Sequence, residues 1–210
     1  MAKPPEEGRI WEWRAFGKLT SELLATVNSL PVRAGIVGRP DYDTYLISPN
    51  TDNNIKLRDM DGRSVLKLKP LLESRTDSIE LYHESMDMVY EFPVAKSVFD
   101  RVCLLLGTVP AGDLSSIQSF GAEGLIRTLS ACRPSIKTVQ VTKTRSQYVI
   151  PGGWVELADM LFPRKRTQSI SVHSYQSQVV KRTIEELKIM EGFMEGLKAL
   201  NYVQACRMWG

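Results

Sequence analysis

Lys56 and Arg58, then Lys67 and Lys69, stand at alternate positions of two short stretches, N-I-K-L-R-D and V-L-K-L-K, with Ile55, Leu57, Leu66 and Leu68 between them. A period of two marks strands with two unlike faces. Asp61-Gly62-Arg63 supplies the turn of a hairpin, since Gly tolerates a positive φ. Four cations on one hairpin face repel one another unless water, carboxylates or a bound anion lies against them. A single such face is ordinarily the wet side of a sheet. Here similar faces recur: Glu12 and Arg14 in R-I-W-E-W-R, Glu80 and Glu84 in a later segment, Lys143 and Arg145 in V-T-K-T-R, and Glu156 in W-V-E-L. Lys and Arg grip phosphate oxygens by charge-assisted hydrogen bonds. Carboxylates hold a hard divalent cation such as Mg²⁺, which itself bridges phosphates. Seven cations against four acids leave an excess that suits a ligand with several negative charges, such as a triphosphate.

The elements that must position these groups read as about eight antiparallel strands with helices between some of them. Strands are expected at 9–16, 43–47, 54–70 as the hairpin, 78–90, 139–150, 154–160 and 168–174. Helices are expected at 18–30, 94–106 and 122–132, and from 176 onward through Val179, Val180, Ile184, Leu187, Phe193, Met194 and Leu197. Residues 32–43 read as loop or irregular strand. On 139–150 the face of Lys143 and Arg145 also carries Val139 and Val141, so a solvated rim is the plainer reading there. His173 shares a face with the expected lumen, but a lone His is more often structural than a base. Trp11, Trp13 and Trp154 read as core or helix contacts. Each helix has one apolar stripe that needs a surface to cover. That favours a barrel with a polar lumen and covered outer faces over a sandwich with its charges outside.

The 210 residues carry a net charge of +3, too mild by itself to argue for nucleic acid. Cys103, Cys132 and Cys206 show neither zinc spacing nor a disulfide framework, which points to a reducing compartment and a cytoplasmic location. No apolar run is long enough to span a bilayer. Residues 1–8 read as a flexible leader, 9–200 as one domain with a helical insertion at about 107–137, and 201–210 as a tail.

The order of these segments resembles the CYTH superfamily, the triphosphate tunnel metalloenzymes, which includes thiamine triphosphatases, inorganic triphosphatases and class IV adenylyl cyclases. The resemblance runs from Arg9 to about Leu187. It rests on R-I-W-E-W-R, D-Y-D-T, N-I-K-L-R-D with V-L-K-L-K, V-T-K-T-R-S-Q-Y, W-V-E-L-A-D and S-I-S-V-H-S. It implies an α+β fold, an eight-stranded antiparallel β-barrel around a charged lumen with helices packed outside. The family signature E-x-E-x-K falls on Ile10, Glu12 and Arg14, so the first acid is absent and Arg stands for Lys. Where the last strand commonly offers an acid, this chain has Ser171 and His173. The resemblance implies binding and metal-dependent hydrolysis of a triphosphate or polyphosphate ligand. Glu12 and Glu156 would be catalytic, and Mg²⁺ or Mn²⁺ would be held by them with Glu80 and Glu84. Arg14, Lys56, Arg58, Lys67, Lys69, Lys143 and Arg145 would bind the substrate. The alternative is a non-catalytic sensor or scaffold for a nucleotide or polyphosphate. Neither a nucleic acid nor a membrane is expected as partner.

Overall fold

The computed structural model describes residues 8–60 and 63–210, with side chains described at all of these except 34–37, 39, 60, 194 and 195. The turn residues Asp61 and Gly62 and residues 1–7 of the leader expected at 1–8 lie outside the described residues.

In chain order the elements are β1 (Arg9–Leu19), α1 (Ser21–Asn28), β2 (Val32–Ile47), β3 (Asn54–Met60), β4 (Arg63–Lys69), β5 (Leu71–Ser74), β6 (Glu80–His83), a 3-10 turn (Met86–Met88), β7 (Val89–Glu91), β8 (Val94–Ala95), α2 (Lys96–Leu106), β9 (Ser119–Phe120), α3 (Ala122–Ser130), β10 (Lys137–Ile150), β11 (Gly153–Phe162), β12 (Lys165–Ser174), α4 (Ser177–Glu186), β13 (Phe193–Ala199) and α5 (Tyr202–Trp209). Strands β8 and β9 form a small ribbon; among the described residues the other eleven form one antiparallel sheet. Its order is β5-β6-β1-β12-β11-β10-β2-β3-β4-β7, with β13 on the second half of β1. The sheet curls into a half-barrel with helices outside. Its two ends are brought together where β4 runs through Pro70 directly into β5. Proline suits that corner because it has no N–H to contribute to a ladder.

Three apolar clusters hold the sheet. The outward Ile55, Leu57, Leu66 and Leu68 of the basic hairpin pack under α2 and α3, against Phe99, Val102, Leu106, Leu125 and Leu129. The outward faces of β1, β11 and β12, including Trp13, Val155, Leu157, Ile170 and Val172, pack under α1 and α4. Burying an aliphatic or aromatic side chain contributes about 1.5–3 kcal/mol, so these covers fix which strand face turns inward. The third cluster lies on the inner face itself. There Phe16, Tyr45, Val139, Val141, Met160 and Phe162 meet Tyr202, Val203, Ala205 and Cys206 of α5.

The fold class is as expected, with eleven strands in the sheet rather than eight. The extra strands come from short pieces that a pattern reading merges or misses. The strand expected at 78–90 is interrupted by the 3-10 turn, whose Met86 is 84% exposed at the rim of the inner cavity. Residues 32–43 join 44–47 in one long strand, β2. The helical pattern after 176 stops at Glu186, and Phe193 and Leu197 belong to strand β13. Gly192 marks that change: a Cβ there would lie 2.4 Å from Leu23 Cδ2. The chain then pairs with β1 where β6 has ended. Residues 202–209, read as a tail, are the helix that fills one end of the lumen. No helix among the described residues is long and apolar enough to cross a membrane.

Candidate functional site

Helix α5 is held by its own start and end. Asn201 caps it, accepting from Gln204 N–H at 2.9 Å, while Gln204 Oε1 accepts from Asn201 N–H at 3.1 Å. Arg207 donates to the Ser48 carbonyl at 2.7 Å. The first turn therefore places Tyr202 as the inner wall of a cavity of about 270 Å³. Arg14, Lys56, Arg58, Lys67, Lys69, Lys143 and Arg145 all line this cavity, with Glu12, Glu84 and Glu156. Glu80 does not. Its carboxylate accepts from Tyr82 Oη at 2.7 Å and Asn201 Nδ2 at 2.9 Å, so it is committed to the α5 cap.

The charges fall into four groups. Arg14 lies between two acids, with Nε 3.0 Å from Glu12 Oε1 and Nη2 3.4 Å from Glu156 Oε1. Its guanidinium carbon sits 4.0 Å from the centre of the Tyr202 ring. Lys69 joins the two ends of the curled sheet, at 2.7 Å from Glu12 Oε2 and 2.9 Å from Glu84 Oε2. Glu156 Oε2 accepts from Arg145 at 3.1 Å and Gln147 at 2.8 Å. Asp43 faces three cations: Arg58 Nε at 2.6 Å, Lys56 at 2.9 Å and Lys143 at 3.1 Å. Among the described residues Lys67 makes no hydrogen bond or ion pair, and it stands directly opposite Lys56 across β3 and β4.

These surroundings set the protonation states. Burial alone would raise the pKa of Asp43, but Lys143, Lys56 and Arg58 hold it well below the usual range. Burial, with Lys143 and Arg58, pushes Lys56 well below its ordinary value against the pull of Asp43. Burial would raise Glu12 and Glu156 too; Lys69 and Arg14 keep the first ionised, and Arg14, Lys143 and Arg145 the second.

Pattern reading of the sequence missed Asp43, Tyr202, Gln147 and Trp154 as cavity neighbours. Asp43 stands within the D-Y-D-T stretch, but its partners Arg58 and Lys143 come from other strands. Trp154 shares a strand face with Glu156 and stacks on His173 at 4.9 Å instead of entering the helix-covered core. Lys143 and Arg145 share a face with Val139 and Val141 because that face runs from the cavity to the underside of α5.

No protein-family model and no curated protein matches the chain. Solved structures do match. The chain is similar to a candidate adenylyl cyclase from Hippeastrum, described as revealing a dominant triphosphatase activity, with 13% identity, a TM-score of 0.56 and 95% of each chain covered. It is also similar to a candidate adenylate cyclase from Bacillus halodurans, with 12% identity, a TM-score of 0.51 and 94% of this chain and 98% of that one covered. The fold is that of these structures, a curled antiparallel half-barrel of the triphosphate-tunnel type with helices outside. At these identities the fold is what the three chains share.

The resemblance implies a divalent metal in such a tunnel, and the residues of this one can be tested for fit. Among the described residues no group of three or more His, Cys, Asp or Glu side chains is placed to hold a metal ion. Both oxygens of Glu12 and both of Glu156 accept from Arg, Lys or Gln donors. Glu80 is taken by the α5 cap, and Glu84 is half-exposed at the rim. A hard cation needs several free oxygen ligands, and this donor set, with Ile10 at the first signature position, does not fit one.

His173 faces the tunnel beside Glu12, with Nδ1 3.6 Å from Glu12 Oε2 and Nε2 2.9 Å from Ser171 Oγ. The order Ser–His–Glu resembles a nucleophile triad, but Ser171 is fully buried and does not line the cavity. Burial lowers the imidazole from its ordinary 6.5 to about 4, against the pull of Glu12. The unfolded chain therefore takes up the proton first as pH falls. The stability due to a neutral His173 is complete above pH 6.5 and is lost by about pH 4, roughly 3 kcal/mol in all. Urea unfolding of the wild type should show this loss across that window, and His173→Gln should flatten it. Equal pH slopes in the two proteins would contradict the assignment.

Proposed function

We propose that the tunnel binds a compact polyanion of the triphosphate class, gripped by its own Lys and Arg side chains without a divalent metal. The observation that carries this reading is the surplus of charge around Asp43. Asp43 alone answers Lys56 and Lys143 and shares Arg58 with Asp41, and among the described residues Lys67, across from Lys56, has no ion pair. Like charges so close in a half-enclosed site are costly, and phosphate oxygens relieve that cost through charge-assisted hydrogen bonds. The cavity volume suits a short phosphate chain more than a large organic ligand. The triphosphatase activity described for the Hippeastrum neighbour supports a triphosphate as ligand.

Lys67→Ala is the sharpest test, because no hydrogen bond or ion pair among the described residues is lost with it. Tripolyphosphate affinity, read by calorimetry, should fall about tenfold or more, the worth of one hydrogen bond to a charged group. The unfolding midpoint should not fall. Unchanged affinity would remove Lys67 from the site.

A second reading, hydrolysis, is favoured by the same neighbour's activity. Water would attack the terminal phosphorus in line, the bond from that phosphorus to its bridging oxygen would break with its electron pair staying on the departing diphosphate group, and orthophosphate and the water's proton would be released. The cations would neutralise the charge on the equatorial oxygens. Glu12 and Glu156 would act by holding Arg14 in place. Phosphate release from tripolyphosphate, thiamine triphosphate and nucleoside triphosphates, in chelator and in Mg²⁺ or Mn²⁺, separates the two readings. Release in chelator that Glu156→Gln abolishes would support hydrolysis. Binding with no release under any condition would leave the sensor or scaffold.

A further inference from the structure

The outer end of α5 borders a second concavity of about 900 Å³. Tyr202 lines the tunnel and Trp209 lines this groove, about 10 Å apart by helical rise. The two cavities share no lining residue. Between them lies Phe16, which packs edge-on to Tyr202 at 6.0 Å and to Trp209 at 5.4 Å.

Four cations from three strands converge on the groove: Lys18 of β1, Lys165 and Arg166 of β12, and Lys198 of β13. Among the described residues none of them has an ion pair. Lys198 Nζ meets only Met208 Sδ, at 3.4 Å. Among the described lining residues the carboxylate is Asp159, which accepts from Gln168 Nε2 at 3.3 Å. Gly196, in the lining, has a φ of +69°, the left-handed region that favours glycine. A concavity with a surplus of cations among its described residues concentrates anions.

The lining also bears on which anion. Binding of single-stranded nucleic acid draws on free aromatic faces for base stacking. Trp209 is held edge-on against Phe16 and Phe162, at 5.4 and 5.2 Å, and serves as floor. The groove is also about three times as large as the tunnel cavity. We infer that it is a second anion site, for a linear inorganic polyphosphate longer than the tunnel encloses.

The test is calorimetry of long-chain polyphosphate and of tripolyphosphate against the wild type, Lys165→Glu/Arg166→Glu and Lys67→Ala. The groove variant should lose about tenfold or more in long-chain affinity and keep its thermal midpoint and its tripolyphosphate binding. Lys67→Ala should show the reverse preference. Equal long-chain affinity in the wild type and the groove variant would overturn the inference. So would loss of both ligands together in a groove variant that keeps its thermal midpoint. A single-stranded oligonucleotide of equal charge that displaces polyphosphate from the groove would overturn the choice of a base-free ligand. If the double variant does not fold, Lys18→Gln/Lys198→Gln carries the same expectations. A tunnel that fails to bind tripolyphosphate leaves the groove result standing by itself, because the two sites are read with different variants.

Discussion

Arg14→Ala is expected to lower the free energy of unfolding by about 3–5 kcal/mol, the usual consequence of removing one partner from a buried ionic group. Arg14 is 4% exposed and touches Glu12, Glu156, Ser169 and the face of Tyr202. Without it Glu12 keeps Lys69, and Glu156 keeps Arg145 and Gln147. Each acid still loses a cation at its inner oxygen, and Tyr202 loses the plate it stacks on. Arg14→Lys should recover less than half of the loss, because one ammonium group cannot bridge both carboxylates and lie flat on a ring. Urea unfolding at neutral pH reads both variants. A loss under about 1 kcal/mol for Arg14→Ala, the range of ordinary surface changes, would mean that the two acids are answered well enough by other groups.

Asp43→Asn should move stability and affinity in opposite directions. The side chain is 2% exposed and is the shared counterion of Lys56, Arg58 and Lys143. Its neutralisation leaves Lys56 and Lys143 without a carboxylate and Arg58 with Asp41 alone, at 3.5 Å, so the free protein should lose about 3 kcal/mol. An anion can then take the vacated role. Tripolyphosphate should bind about tenfold more tightly to the variant, and saturating ligand should raise its unfolding midpoint further than that of the wild type. If Asp43 were an ordinary structural acid, affinity and stability would fall together.

What could be read in the sequence follows from where the physical signal resides. The alternation through Lys56, Arg58, Lys67 and Lys69 is a property of single strands, so it survives without coordinates, as does the apolar reverse face that packs under α2 and α3. The counterions of those lysines are not local. Asp43 meets Arg58 and Lys143 from strands β3 and β10, which sheet order alone brings together. The inner face also changes character along its length. Glu12 and Arg14 give way to Phe16, and Arg145 and Lys143 to Val141 and Val139, wherever α5 covers the strand. A pattern that switches from charged to apolar on one face looks irregular until the helix responsible is known. That helix follows β13, whose Phe193 and Leu197 have helical spacing and so concealed a strand. The absence of the first signature acid was plain at Ile10, whereas the commitment of Glu12 and Glu156 to Arg14 needed distances.

The most direct measurement is a calorimetric titration of tripolyphosphate into the wild-type protein in chelator, repeated in excess Mg²⁺. Seven tunnel cations with their acids already engaged predict saturable one-to-one binding in chelator, weakened by salt and not strengthened by Mg²⁺. Absence of binding in chelator, with binding restored by Mg²⁺, would contradict it.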